Sequence, residues 1–77
     1  MGDNMTFGKW LKIKLKKNNI QQKEIAKQIC VSENTVTSWT TNVREPGIRN
    51  FIWVCKYISI VEKTTEQEIY MEASSCF

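Results

Sequence analysis

Apolar residues recur at helical spacing in five separate stretches of the chain, each bounded by residues that cap helices or make turns. Phe7, Leu11 and Leu15 fall at i, i+4 and i+8 with Trp10 beside them, which predicts a helix from an N-cap at Thr6 to about Lys17. Ile13 lies off that stripe, and Lys9, Lys12, Lys14, Lys16 and Lys17 fill most of the remaining face. Asn18 and Asn19 stop the helix, because asparagine tolerates the left-handed conformation in which many helices end.

The stretch from Gln21 to Asn42 reads as a helix, a tight turn and a second helix. Ile25, Ala26 and Ile29 recur between Lys23, Glu24, Lys27 and Gln28, giving a short amphipathic helix with a narrow apolar face. It ends near Cys30, since Val31 is β-branched, Ser32 is a good N-cap, and Glu33 then falls where the next helix dipole favours a carboxylate. The second helix, about residues 32–41, buries Val36 and Trp39 one turn apart. Its other positions, Glu33, Asn34, Thr35, Thr37, Ser38 and Thr41, are polar and mostly short. Such residues have poor helix propensity, so a face made of them points to contact rather than to plain solvation.

Residues 42–47 are rich in turn formers and hold the only proline; Pro46 removes a donor and biases Glu45 toward extended backbone, so no helix passes through. The next helix begins near Ile48, with Ile48, Phe51, Val54 or Cys55, and Ile58 marking its buried face. Trp53, Tyr57 and Val61 lie on a different stripe. That surplus aromatic surface has two readings, packing against the C-terminal helix or contact with a second copy of the chain. Thr64 or Thr65 caps a last helix, with Glu66 and Glu68 in its first turn and Ile69 and Tyr70 facing inward. Nothing alternates long enough to require a strand. The pattern predicts an all-α domain of five short helices over residues 6–72, after a disordered N-terminus at 1–5 and before a tail at 73–77.

Composition narrows the function. Seventy-seven residues, 42% of them apolar, suffice for one small core. The three cysteines, Cys30, Cys55 and Cys76, are an odd number with no close pair, so neither a disulfide framework nor a C-x-x-C metal site is suggested. Cys30 and Cys55 read as small buried side chains, and the implied compartment is reducing. No apolar run reaches the length of a membrane span, and the N-terminus lacks the order of a signal peptide, which points to the cytoplasm. With no histidine, no metal-ligand cluster and no nucleophile beside a base, an enzyme is not expected, nor a cofactor or small-molecule ligand. Residues 1–49 carry nine Lys/Arg against four acidic residues, a net +5, whereas residues 50–77 carry a net −2. A basic half containing a polar helix suits a polyanion such as double-stranded DNA, although lysines also serve simply to solvate a helix face.

Taken together, these residues resemble the Cro/lambda-repressor-like helix-turn-helix proteins, the XRE family of bacterial and phage transcription regulators, over roughly Phe7 to Tyr70. Phe7-Gly8 and Leu11 match the opening helix, Ile20 and Gln22 the entry to the second helix, Ile25-Ala26 its Leu-Ala pair, and Val31-Ser32 the turn. Thr35 to Trp39 looks like the recognition helix, and Ile48, Phe51, Val54, Cys55 and Ile58 match the fourth. Three departures from the pattern involve four positions. Cys30 stands where the family has the turn glycine, and Asn42 where it has a glycine after the third helix. Leu15 and Thr40 stand where many members have an Arg–Glu pair, which an apolar contact can replace because paired charges lose much to desolvation.

The resemblance implies a compact lambda-repressor-like fold in which residues 32–41 lie in the DNA major groove. It implies base contacts from Glu33, Asn34, Thr37 and Ser38, and phosphate contacts from Gln22, Lys23, Lys27, Ser32, Thr35, Asn42 and Arg44. The partner is an inverted-repeat operator bound by a homodimer. Each assignment has a plainer counterpart: Gln22 as a helix cap, Glu33 as a dipole-favoured residue that repels phosphate, and the short polar residues as plain surface. The rival function is a protein-interaction module of the same fold that lacks specific DNA binding and uses Trp53 and Tyr57, the same surface considered for dimerisation.

Overall fold

A computed structural model describes residues 6–75, which form five helices and no strand. They are α1 (Phe7–Lys17), α2 (Gln22–Gln28), α3 (Glu33–Thr40), α4 (Ile48–Glu62) and α5 (Glu66–Ser74). The expected disorder at 1–5 and Cys76 lie outside the described residues. The predicted caps are in place: Thr6 Oγ1 accepts from the Lys9 amide, Ser32 Oγ from Thr35, and Thr65 Oγ1 from Glu68. Helix α5 runs past residue 72 to Ser74, and Ala73 is fully buried, so the packed unit reaches into the expected tail.

One core joins all five helices. Leu11, Ile25, Val36, Val54, Cys55, Ile58 and Ile69 are sealed from solvent, and each such aliphatic side chain contributes about 1.5–3 kcal/mol. Phe7 sits at the aromatic centre, its ring 5.6 Å from Trp10, 5.8 Å from Phe51 and 6.4 Å from Trp39, and Phe51 stacks on Tyr70. Gly8 permits α1 to approach α3 closely. A Cβ there would overlap the Trp39 carbonyl oxygen and the Asn42 side chain.

The four junctions between helices share one construction. Each helix ends on a left-handed residue, Asn19 (φ 57°), Cys30 (φ 62°), Asn42 (φ 62°) and Lys63 (φ 59°), and none of these is glycine. In each case the amide of the following residue reaches back into the last turn: Ile20 to Leu15, Val31 to Ala26, Val43 to Ser38, and Thr64 to Ser59. Those carbonyls would otherwise lack partners, and the repeated Schellman closure satisfies them. Left-handed backbone costs a β-carbon-bearing residue roughly 1–2 kcal/mol, and asparagine less.

Several positions depart from the pattern read along the chain. Ile48, expected on the buried face, is 75% exposed. It stands on the first turn of α4, before that helix meets the core, and Phe51 is the first of its residues to pack inward. Cys30, expected inside, is exposed, because its left-handed backbone turns it away from the α2 stripe. Thr40 is buried as a hydroxyl bonded to Gln22, not as an apolar partner of Leu15. Lys14, expected among the solvated lysines, is buried. Its ammonium lies 3.0 Å from Glu62 and 2.8 Å from Glu72, while Asn18 donates to the other Glu62 oxygen and the Trp10 indole N–H to Glu72. This cluster ties α1 to α4 and α5. Burial alone would lower the Lys14 pKa, but hydrogen bonds and attraction from the two glutamates outweigh it and the net shift is upward. Burial likewise works against the Glu62 charge, and the bonds from Asn18 and Lys14 override it to hold that carboxyl below its ordinary value.

Candidate functional site

Helices α2 and α3 are fixed to each other by side chains as well as by the core. Thr37 Oγ1 donates to Gln22 Oε1 at 2.8 Å, and Gln22 Nε2 donates to Thr40 Oγ1 at 3.3 Å, so one amide holds two residues about one turn apart on α3. At the other end, Ser32 Oγ caps the helix and lies 2.8 Å from Thr35 Oγ1. The turn between the helices is closed by Cys30 and Val31. Position and orientation of α3 therefore follow from contacts in which, of its outer face, only the Thr37 hydroxyl takes part.

That outer face lies opposite Val36 and Thr40, the buried stripe. Glu33, Asn34 and Thr37 are exposed on it, and Ser38 is half-buried at its margin. Asn34, Ser38 and Arg44 line one shallow depression together with Thr35 and Asn50. The loop after α3 is held close by two bonds to the Ser38 carbonyl, from the Val43 amide at 2.9 Å and the Arg44 amide at 3.1 Å. Asn42 occupies the left-handed position before it. Lys23 and Lys27 are exposed one turn apart on α2, next to half-buried Gln22.

At the other proposed surface, Trp53 is 47% exposed, and its neighbours in the adjacent grooves include Gln28, Ile29 and Cys30 at the end of α2. The Lys56 ammonium lies 5.1 Å from its ring centre. Tyr57 is half-buried against the core, with Ile60 exposed beyond it.

Two residues at the site are given no contact by the sequence: Thr41, noted only among the polar positions of its helix, and Asn50, not marked at all. Thr41 closes α3 on the same arc as Asn34, seven positions earlier, and that helical spacing was the available signal. Asn50 enters the depression from the first turn of α4, and nothing local in its sequence neighbourhood marks it.

A family model described as helix-turn-helix matches residues 11–59, from within α1 nearly to the end of α4, and its centre is the α2–turn–α3 unit just described. No curated protein and no solved structure matches the chain.

Proposed function

Since the chain belongs to the XRE-type helix-turn-helix family of DNA-binding regulators, we propose that it reads a specific double-stranded DNA sequence with α3 in the major groove, as a small repressor or Cro-like regulator in the cytoplasm. The observation that carries this reading is the outer face of α3, short, polar and free of packing duties, on a helix locked from behind by Gln22. Base edges fall to Glu33, Asn34, Thr37 and Ser38. An asparagine amide matches adenine, and a carboxylate accepts from the cytosine amino group. Around them Gln22, Lys23 and Lys27 on α2, Ser32 and Thr35 at the start of α3, and Asn42 and Arg44 after it hold phosphates, which fix register and add salt-dependent affinity. One such module gives modest affinity, so two copies on an inverted repeat supply the rest.

A second reading is favoured by the half-exposed Trp53 and the groove it shares with Ile29, Tyr57 and Ile60. It makes this surface a protein contact, between copies or with another protein. Selection from a random duplex pool at two salt concentrations separates the possibilities. Enrichment of an inverted repeat with half-sites about one helical turn apart is the expected result. Asn34→Ala should abolish that enrichment with an unchanged circular dichroism spectrum. Retention that vanishes with salt and enriches nothing would move the function to the Trp53 surface.

A further inference from the structure

The hydroxyls of Thr37, Ser38, Thr40 and Thr41 have their protons already committed. Ser38 Oγ donates to the Thr35 carbonyl at 2.6 Å, and Thr41 Oγ1 donates to the Thr37 carbonyl at 2.8 Å. A carbonyl can only accept, so both directions are fixed by chemistry. Buried Thr40 donates to the Thr37 carbonyl at 3.1 Å and is left able only to accept from Gln22. The Gln22 amide must then turn its nitrogen to Thr40 and its oxygen to Thr37, whose hydroxyl has to donate inward. Toward the outside, Thr37, Ser38 and Thr41 present lone pairs alone. Glu33 is a carboxylate and likewise only accepts. Among the side chains of these five, only that of Asn34 has an N–H to offer, and α3 contains no lysine or arginine.

Resting on the reading of α3 as the recognition helix, we propose that the face is an acceptor array selecting base-pair edges by their amino groups, adenine N6 and cytosine N4, and that it does not read guanine. Guanine presents N7 and O6, both acceptors, and needs a donor fork such as arginine to hold it. Facing Thr37, Ser38 or Glu33, those atoms meet other acceptors. Arg44 shares the depression but belongs to the following loop, where it serves phosphate.

The test uses the unaltered chain and its selected operator, remade with modified bases one position at a time. N4-methylcytosine and N6-methyladenine place a methyl where the major-groove amino hydrogen was and keep base pairing; 7-deazaguanine removes the N7 acceptor. Methylation at contacted positions should weaken binding about tenfold each, the loss of one well-placed bond to a base. With 7-deazaguanine the change should stay under about twofold. An operator indifferent to both methylated bases, or one weakened by 7-deazaguanine, overturns the acceptor array while leaving specific DNA binding intact. A random pool from which nothing is selected overturns the proposed function and this inference with it.

Discussion

Lys14 and Glu62, 48 positions apart in the chain, meet at 3.0 Å with side chains almost wholly removed from solvent. The pair predicts how stability follows pH. The Glu62 carboxyl is held below its ordinary value near 4.5, so its contribution is present above that pH and is lost as pH falls through the lowered value. The Lys14 shift is upward from 10.5, so its contribution is complete below that pH and lost only as alkaline pH passes the raised value. Between these limits stability should be flat with respect to this cluster. Denaturant melts across pH 2–7 would show an acid limb that Glu62→Gln makes shallower.

Lys14→Ala should cost about 3–5 kcal/mol, because it takes the cation away from the nearly buried Glu62 carboxylate. Removing Glu62 as well should recover part of that loss. A double-mutant cycle by urea unfolding measures the coupling, and strict additivity would mean the contact carries no energy.

Gly8→Ala tests the approach of α1 to α3. In an ordinary helix this change stabilises by up to about 1 kcal/mol. Here the added methyl overlaps the Trp39 carbonyl oxygen, so the sign should reverse to a loss of about 1–3 kcal/mol, the usual consequence of overpacking. Thermal unfolding reads it directly: a higher Tm would mean the two helices separate at no cost.

Cys30→Gly should act the other way. Relieving left-handed strain at a β-carbon-bearing residue is worth about 1 kcal/mol after the entropy of glycine is allowed for, which is a rise in Tm of about 4–8 °C for a domain this size. Lys63→Gly should do the same for the junction between α4 and α5.

Thiol reactivity should divide sharply. Burial, with a smaller effect from Glu66, pushes the Cys55 thiol up to about 12, leaving almost no thiolate at neutral pH. Iodoacetamide on the folded protein, followed by peptide mass mapping, should modify exposed Cys30 and spare Cys55. Denaturation should open Cys55 to the reagent.

Elements set by local chemistry are readable from the chain alone. The Phe7, Leu11, Leu15 stripe, the Ser32 and Thr65 caps and the break at Pro46 each depend on residues a few positions apart, and each lies where that spacing puts it. Glu33, Asn34 and Thr37 stand out for the same reason, as polar residues on a helix whose buried stripe is already occupied by Val36 and Trp39. Lys14 was hidden because its partners lie far along the chain, and a lysine with a long apolar stem looks the same buried or solvated until they are placed. Ile48 was misread for a related reason. Helical periodicity gives the face on which a residue falls, but not how far along that face the neighbouring helices extend, and Ile48 stands on the first turn of α4, before its cover begins. The Gln22 amide carries a similar ambiguity: its place at the head of α2 marks it for phosphate, while its bonds to Thr37 and Thr40 appear only once α3 is laid across it.

The span of the Lys14 cluster also orders events during synthesis. Helices α2 and α3 are translated well before α5, yet the Trp10 and Lys14 side chains of α1, the helix that packs on α3, are tied down by Glu62 and Glu72, which follow much later. A nascent chain thus carries a finished helix-turn-helix sequence on an unfinished scaffold. Under the function proposed above, trimming α5 would weaken DNA binding without touching a residue of α3.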